Sequence, residues 1–474
     1  MNRQNARRMG LATGLVLLIV ASMATYASRQ DTNGEQVFPL AEVSVFGLPQ
    51  EGGYEFLLGQ RVGCGDKPDP NVVAYPKFRS EQPIYGKVSF ADPLGKPDPG
   101  SMYYFALDES AGTGLKYDRL HFDLNRDRDL TNDKVLGVQE SPPPGALLAD
   151  PRNPQQACFE NLALPFPFGS QGERPLETMP RLLISDHTYK TLSFVPIKAR
   201  RGRIGLGGQQ FDVVLGHDSV VAGWLDNPWT ALYLTPTGGR SRLDWWGSDR
   251  LHATHKIGGT FYRFSATPAG DKLMARPYDG PLGVFEVGPG ARHVERMEIK
   301  GSLRSEATAV AVGEISDKGR PEFIRTCRLP VGDYLPEHLT IRLGNLLMDI
   351  SNNYHSDGKR MNTTGRPWVY GIRIRADRPF VLDFSNKPSV MFASPARDQR
   401  IKMGEELKVM AVLIDPVLDF MVRSLDDTSR KQDKEYTTPD GKKERYTQDL
   451  SLDPKVTITR ANGEKVAEGV MPFG

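Results

Sequence analysis

The sequence predicts an all-β protein built from serial β-sandwich or β-barrel modules. Short runs of alternating or β-branched residues recur along the chain, for example at 84–90, 211–215 and 260–264, as in half-buried strands. Turn dipeptides such as Gly207-Gly208 and Asn462-Gly463 separate these runs, and Asn-Gly favours a tight hairpin. The 474 residues include 47 Gly and 36 Pro, and this many helix-breaking residues argue against a helical bundle.

The first element is a secretory leader, predicted over residues 1–27. Three arginines within the first eight residues precede an apolar run over 11–20, and small residues then fit the cleavage rule at 22–24 and at 25–27. We therefore expect an exported protein of the periplasm, the cell surface or the medium. The alternative is an uncleaved leader that acts as a membrane anchor, since its apolar stretch approaches the ~17–25 residues that span a bilayer.

The rest of the chain divides at stretches rich in Pro and Gly. A Pro-rich stretch runs over 141–154, Gly288-Pro289-Gly290 closes a turn-rich segment, and Gly365-Arg366-Pro367 precedes the last one. The final segment has the size of an immunoglobulin-like sandwich, about 100 residues. The predicted division is an N-terminal β module with a calcium-type loop (28–165), a Trp-rich middle β module (166–290), a β-rich connecting module (291–368) and an immunoglobulin-like C-terminal module (369–474).

Helical segments are few in this prediction. The best candidates are 335–350 and the polar stretch at 426–435, and neither carries a strong helix signal.

Three cysteines occur, Cys64, Cys158 and Cys327. An oxidising compartment permits one disulfide, and spacing alone does not choose the pair. Because Cys64 and Cys158 both lie in loop-like, Pro-rich surroundings, we favour that bridge and expect Cys327 to be a buried free thiol. Neither a Cys-x-x-Cys pair nor zinc-type Cys/His spacing is present.

The sharpest local feature is the segment that begins at Asp123. Side chains with oxygen atoms occupy alternate positions from 123 to 133, and calcium takes six to eight oxygen ligands. Carboxylates packed this closely would repel one another without a cation, so the segment predicts a structural calcium site. The predicted ligands are Asp123, Asn125, Asp127, Asp129 and Asp133. The alternatives are a solvated stripe of mutually neutralising Arg and Asp side chains, or a different cation.

This segment resembles the Asp-x-Asn-x-Asp calcium loops of EF-hand and dockerin proteins, with two departures. Arg128 stands at position 6, where an EF-hand has Gly, and Lys134 at position 12, where the bidentate acid belongs. More broadly, the stretches FDLNRDRDLTND, GDKLMARPYDGPLGVFEVGPG, LPVGDY and DPKVTITRANGEKVAEGVMPFG resemble parts of uncharacterised exported proteins of planctomycete-type bacteria. That resemblance implies export and a calcium loop, but no activity.

Two further groups of side chains have weaker functional signals. The five tryptophans are Trp224, Trp229, Trp245, Trp246 and Trp368, and four of them fall in the middle module. They either form a platform that stacks on sugar rings or pack in the core. A local basic cluster over 198–203 either contacts an anionic polymer or is a solvated loop.

A carboxylate–histidine site is a remaining alternative around His252 and His255. Three residues apart on a strand, the two imidazoles point to opposite faces, so we do not expect them to share a metal unless the segment turns. Asp244 and Asp249 are the nearby acids in the sequence.

The net charge and the absence of known motifs argue against several classes of function but identify no reaction. The formal net charge is +2, so no strong field recruits nucleic acid, and the sequence lacks a Walker-type loop, a Gly-x-Ser-x-Gly elbow and a His-Glu-x-x-His motif. We therefore expect a calcium-stabilised, non-enzymatic binding or cell-envelope structural component, with a polysaccharide or an envelope protein as partner. The alternative is a carbohydrate-active enzyme, of glycoside hydrolase or lyase type, with its site in the middle module.

Overall fold

The computed structural model confirms the all-β class, with 64% of the residues that it describes in strands and 1% in helix. It describes residues 29–471 except for 31–33, 49–58, 92–96, 113–115, 145, 147–154, 168–172, 186–188, 218–219, 228, 239–248, 289–296, 306–308, 313–322, 353–369, 384–387, 395–399, 401, 403, 406–408, 416, 419 and 438–442. The predicted leader and Trp245, Trp246 and Trp368 lie outside the described residues.

Many of the strands are short and several are joined by tight turns, as the frequent Gly and Pro residues predict. The first half contains β1 (Arg29–Gln30), β2 (Gln36–Pro39), β3 (Ala41–Ser44), a 3-10 turn (Val45–Gly47), β4 (Gln60–Gly63), β5 (Ile84–Ala91), β6 (Pro97–Asp108), β7 (Arg119–Phe122), β8 (Leu136–Gly137), β9 (Gln155–Cys158), β10 (Leu162–Pro167), β11 (Glu173–Ser185), β12 (Tyr189–Pro196), β13 (Lys198–Leu206), β14 (Gln209–His217), β15 (Thr230–Pro236) and β16 (Asp249–Arg250). The second half contains β17 (Thr254–Ile257), β18 (Thr260–Ala266), β19 (Lys272–Pro277), β20 (Leu282–Val287), β21 (Met297–Arg304), β22 (Ala309–Val312), β23 (Thr326–Pro330), β24 (Gly332–Leu343), β25 (Leu346–Ser351), β26 (Ile372–Ile374), β27 (Phe380–Leu382), β28 (Ser389–Ser394), β29 (Met410–Asp415), β30 (Phe420–Thr437), β31 (Lys443–Ser451), β32 (Lys455–Thr459) and β33 (Lys465–Val470).

The N-terminal core lies between two sheets. One sheet has the order β5-β6-β7-β8, and the other has the order β10-β11-β12-β4 with β9 beside β11. Aromatic side chains fill the space between them: the ring of Phe194 on β12 is 5.3 Å from that of Phe90 and 5.6 Å from that of Phe122. Because Phe122 is the last residue of β7, this core fixes the point at which the acidic segment begins.

Strand pairing crosses the first predicted module boundary. The position 165/166 falls inside β10, whose partner β11 belongs to the predicted middle module. A separate sheet with the order β16-β15-β14-β13-β3 adjoins this region and takes its edge strand β3 from the start of the chain.

A 14-stranded sheet gathers strands from nearly the whole chain. Its main path is β1-β2-β19-β18-β17-β22-β21-β24-β25-β30-β29-β28, with β26 and β31 paired at the side. A second core of aliphatic side chains, including Ile299, Leu339 and Ile341, lies on this sheet. Within the described ranges, no helix has the length and apolar character needed to cross a membrane.

Both helix predictions are wrong. Residues 335–350 form the hairpin of β24 and β25, which turns at Gly344 with a φ of 59°. Such a left-handed φ suits glycine and a two-residue hairpin turn. Residues 426–435 belong to β30, whose polar side chains bond across to β31, for example Thr447 to Asp433 at 2.7 Å.

The favoured disulfide is also wrong, since Cys64, Cys158 and Cys327 are all free. Cys64 follows β4 and Cys158 ends β9, and β12 and β11 lie between these strands. Three strand spacings amount to about 14 Å, whereas a disulfide needs Cα atoms within about 7 Å. Burial raises the pKa of Cys64 to about 12, so this thiol is protonated at neutral pH. Cys327 is free as predicted, although it is partly exposed.

Candidate functional site

The acidic segment leaves the end of β7 and folds into a tight loop. Arg126 and Arg128 adopt left-handed φ values of 62° and 67°, which are uncommon for residues with a side chain. Arg128 therefore makes the turn at position 6 for which an EF-hand uses Gly. Non-glycine residues held in this conformation store strain, and such residues cluster at ligand sites.

The backbone of the loop is anchored on both sides. Asp123 N–H donates to the Tyr104 carbonyl at 2.9 Å, and Leu130 N–H donates to the Ala74 carbonyl at 3.0 Å. The Leu130 side chain is buried in the protein, so the middle of the loop cannot drift into solvent. Leu130, an apolar residue among the acidic ones, therefore anchors the loop in the protein interior.

Two carboxylates of the loop have buried oxygens that lack partners. Asp123 is 0% exposed; its Oδ2 accepts from the Arg128 N–H at 3.1 Å, and its Oδ1 has no hydrogen-bond partner. Asp133 Oδ1 accepts from the Leu124 N–H at 3.3 Å, and its Oδ2 is likewise buried without a partner. A buried unsatisfied acceptor costs about 1–3 kcal/mol, and more when it is charged. A cation bound to Asp123 Oδ1 and Asp133 Oδ2 would remove this cost.

The charges of the loop act on one another. Burial raises the pKa of Asp123, and the nearby charge of Asp127 raises it further. Burial likewise raises the pKa of Asp133, with smaller contributions from the charges of Asp123 and Asp127. Removing carboxylates from water without a positive partner disfavours their ionised forms. A bound divalent cation would reverse that effect.

The other predicted ligands are differently placed. Asn125 Oδ1 accepts from the Asp127 N–H at 2.9 Å, and Asp127 Oδ2 is bonded by the amides of Asn125 at 3.0 Å and Asn132 at 2.7 Å. The bond from Asn132 lowers the pKa of Asp127. Asp129 Oδ1 instead accepts from the Thr131 N–H at 2.9 Å and from its hydroxyl at 2.6 Å. Asp129 thus closes the next turn of the loop.

In the part of the chain that the structure describes, no group of three or more His, Cys, Asp or Glu side chains is gathered as a metal site. The loop therefore brings carboxylates near one another without converging them on one point. The orphaned oxygens of Asp123 and Asp133 fit a hard cation, and the amide oxygen of Asn125 is a ligand of the same chemical kind.

The two histidines of the alternative metal site have different neighbours. His252 Nε2 is 3.0 Å from Asp226 Oδ1, whereas His255 is buried on β17 with its ring against Phe264. Asp226 is distant from His252 in sequence, and no local pattern marks it. Asp244 and the side chain of Asp249 lie outside the part of the chain that the structure describes.

A cleft brings together part of the basic cluster and one tryptophan. Its volume is about 260 Å³, and Lys198, Arg200 and Trp224 line it together with Glu42 and His217. Arg203 points elsewhere and pairs with Asp212 at 3.0 Å, and Trp229 contacts Arg250, whose guanidinium carbon is 4.5 Å from the ring centroid.

Sequence reasoning missed the contributions of Glu42, Arg174, Glu177 and His217 to this cleft. They come from three strands that are distant in sequence, and no local pattern marks them. No family model, no curated protein and no solved structure matches this chain.

Proposed function

We propose that this chain is an exported, calcium-stabilised β protein that acts as a binding or structural component of the cell envelope. The observation that carries the calcium part is the pair of buried, unpartnered carboxylate oxygens, Asp123 Oδ1 and Asp133 Oδ2. Export is supported by the leader-like residues 1–27. Calcium here would be structural, because a loop closed by protein oxygens leaves little room for substrate.

Calcium is expected to raise the melting temperature (Tm) of the purified protein. A ligand that binds only the folded state adds about 2.7 kcal/mol at 100 times its Kd, which corresponds to about 3 °C for a chain of this length. Asp123→Asn removes the buried charge but keeps an acceptor for Arg128, so this variant should lose the response to calcium. The measurement is thermal unfolding with calcium and with chelator.

Asp427→Asn is the matched control for that experiment. Asp427 Oδ1 accepts from the Ser429 N–H at 3.0 Å where the register of β30 with β31 shifts, outside the loop, so its loss should leave the calcium response intact. Equal melting temperatures with and without calcium in the unaltered protein would contradict the proposal and leave the loop as a charged turn.

The stabilisation by calcium should shrink as the pH falls from 7 towards 5. The folded-state pKa values of Asp123 and Asp133 are raised above the value of about 3.9 for an unfolded Asp, so the calcium-free folded state binds protons more readily than the unfolded one. Their ionisation therefore destabilises the calcium-free protein as the pH rises through these pKa values. Since protons compete with the metal, the Tm difference between the calcium-bound and the calcium-free protein is largest near neutrality.

This pH series requires calcium-free samples prepared over a chelating resin, because soluble chelators weaken on protonation. Asp123→Asn should show no Tm difference at any pH. A difference that stays constant or grows on acidification would argue against carboxylate ligation.

The enzyme alternative has one observation in its favour. Glu42 and Glu177 line the same cleft as Trp224, and glycoside hydrolysis uses two carboxyls beside bound sugar. However, the hydrogen bond from Lys198 lowers the pKa of Glu42, which keeps it ionised, whereas a general acid needs a raised pKa. Glu42 therefore fits only the base or nucleophile of such an enzyme, and binding, which needs no general acid, is the first proposal.

A further inference from the structure

The cleft lies where the β3–β13 edge of one sheet meets β11 of another. Two hydrogen bonds fix its lining residues: Leu225 N–H donates to the Pro268 carbonyl at 2.9 Å, and the Arg200 side-chain Nε donates to the Ala269 carbonyl at 3.0 Å. The Arg200 side chain is thereby held in place at the cleft. The binding surface is preformed, which reduces the entropy lost when a ligand binds.

Positive charge exceeds negative charge on the walls. Three cations, Arg174, Lys198 and Arg200, face two carboxylates, Glu42 and Glu177. Glu42 is bridged by Lys198 at 2.8 Å and by Arg200 at 3.2 Å, so one carboxylate is shared between two cations. The cleft therefore keeps a positive potential that an anionic ligand would meet.

The floor of the cleft is polar but uncharged. His217 is 4% exposed, and its Nδ1 has no hydrogen-bond partner among the described residues. Burial lowers the pKa of His217 to about 4, so the imidazole is neutral at pH 7. The positive potential thus comes from the wall side chains alone, and the neutral imidazole suits a hydroxyl group.

One wall of the cleft is apolar. Trp224, which is partly exposed, lines it beside Leu225 and Pro268. An indole ring is a large, rigid apolar surface with a polar N–H, and such rings bind the apolar faces of sugars. Aromatic and cationic side chains in one cleft favour a ligand that has both a hydrophobic face and negative charge.

A second depression extends the cleft. Its volume is about 320 Å³, and it shares Glu42 and Lys198 with the first. Beyond that ion pair it is lined by Val43, Ser44, Phe46, Gln139, Pro143, Asn161 and Ile197. The two depressions meet at that shared ion pair, and their volumes lie near the lower end of the ~300–1,000 Å³ range of ligand sites; amide groups line the second one. Together they form a groove with a cationic part and an amide-lined part, which suits a ligand of at least two units.

We propose that this groove, which we call the acidic-glycan groove, binds a saccharide chain that carries carboxylate or sulfate groups. The cations of the first cleft pair with the anionic group, Trp224 stacks on a ring, and the amides of the second depression bond to hydroxyls of the next unit. The inference rests on the binding role proposed above but not on calcium.

Binding is tested by calorimetry on the full exported chain with defined probes. Trigalacturonate and sulfated dextran oligosaccharides represent the two anionic groups, and unsulfated dextran oligosaccharides are the neutral control. We expect binding of one or both anionic probes, no binding of the neutral one, and weaker binding at higher salt. The probe preferred distinguishes a uronate from a sulfated ligand.

Arg174→Ala should weaken binding of the anionic probe by about tenfold or more, because it removes a charged partner. Arg203→Ala is the matched control, since Arg203 carries the same charge on β13 and does not line the groove. Trp224→Ala should weaken the same probe while leaving the salt dependence unchanged. The Tm of each variant shows whether it is folded.

Three results would overturn the inference. These are no binding of either anionic probe, equal losses in Arg174→Ala and Arg203→Ala, and tighter binding of a glutamate oligopeptide than of the anionic saccharides. The last result would assign the groove to acidic peptides. Each titration is run with calcium and after chelation, so a failure here is separable from a failure of the calcium site, which the melting experiment reports independently.

Discussion

Phe194→Ala is expected to lower the free energy of unfolding by about 3–5 kcal/mol, the range for a large aromatic residue removed from a core. Phe194 is 0% exposed, and its ring lies 5.3–6.2 Å from the rings of Phe90, Phe105 and Phe122. Its loss leaves a cavity between the two N-terminal sheets. The measurement is urea unfolding of the variant and the unaltered protein at 25 °C.

The same variant should also weaken calcium binding, because Phe122 positions Asp123. Val73→Ala is the control: the Val73 side chain is 71% exposed beside the loop, so its truncation should change stability by less than about 0.5 kcal/mol. If Phe194→Ala lowered the free energy of unfolding by less than about 1 kcal/mol, the aromatic cluster would not be the tightly packed core described above.

Gly301→Ala is expected to cost about 2–5 kcal/mol of stability. Gly301 has a φ of 133°, which strains any other residue by about 1–3 kcal/mol. A Cβ atom there would lie 2.1 Å from the His338 carbonyl oxygen on β24, so the two central strands of the 14-stranded sheet would have to separate. Thermal and urea unfolding measure the effect.

Gly469→Ala separates this clash from a general effect of losing a glycine. A Cβ atom at Gly469 has open space around it, and β33 is exposed along its length. We expect a change within about 0.5 kcal/mol there. Similar losses at the two positions would refute the argument from close backbone approach.

The fold class could be predicted because it depends on local patterns, and the sheet order could not. Alternation and turn dipeptides are visible within ten residues, whereas β2 pairs with β19 far along the chain. Where one local pattern supports two structures, the prediction fails. Leu335, Leu339 and Leu343 are spaced as on a helix face, but Leu339, Ile341 and Leu343 also alternate, and the turn at Gly344-Asn345 makes the strand interpretation correct.

The two candidate sites also differ in how far a local sequence pattern reveals them. The acidic loop is contiguous in sequence, so its residue types and spacing could be recognised before the structure. The structure adds that Asp123 and Asp133 each have a buried oxygen without a partner and that Asp129 bonds to Thr131 instead. The acidic-glycan groove is assembled from segments that only the sheet topology brings together, so neither Glu42 nor Arg174 stands out in the sequence.

The pairing of β2 and β3 with strands far along the chain has a consequence for the order in which the protein folds. Phe38 pairs with Leu273 and Glu42 on the next strand pairs with Arg200, so these first strands find their partners only after more than 150 further residues have been synthesised. Until then these first strands expose unpaired edges, and contacts of such high sequence separation form slowly. The groove that contains Glu42 therefore cannot form before β11, β13 and the turn at Pro268 and Ala269 have been made, and a chaperone that shields the N-terminal strands would raise the yield of folded protein.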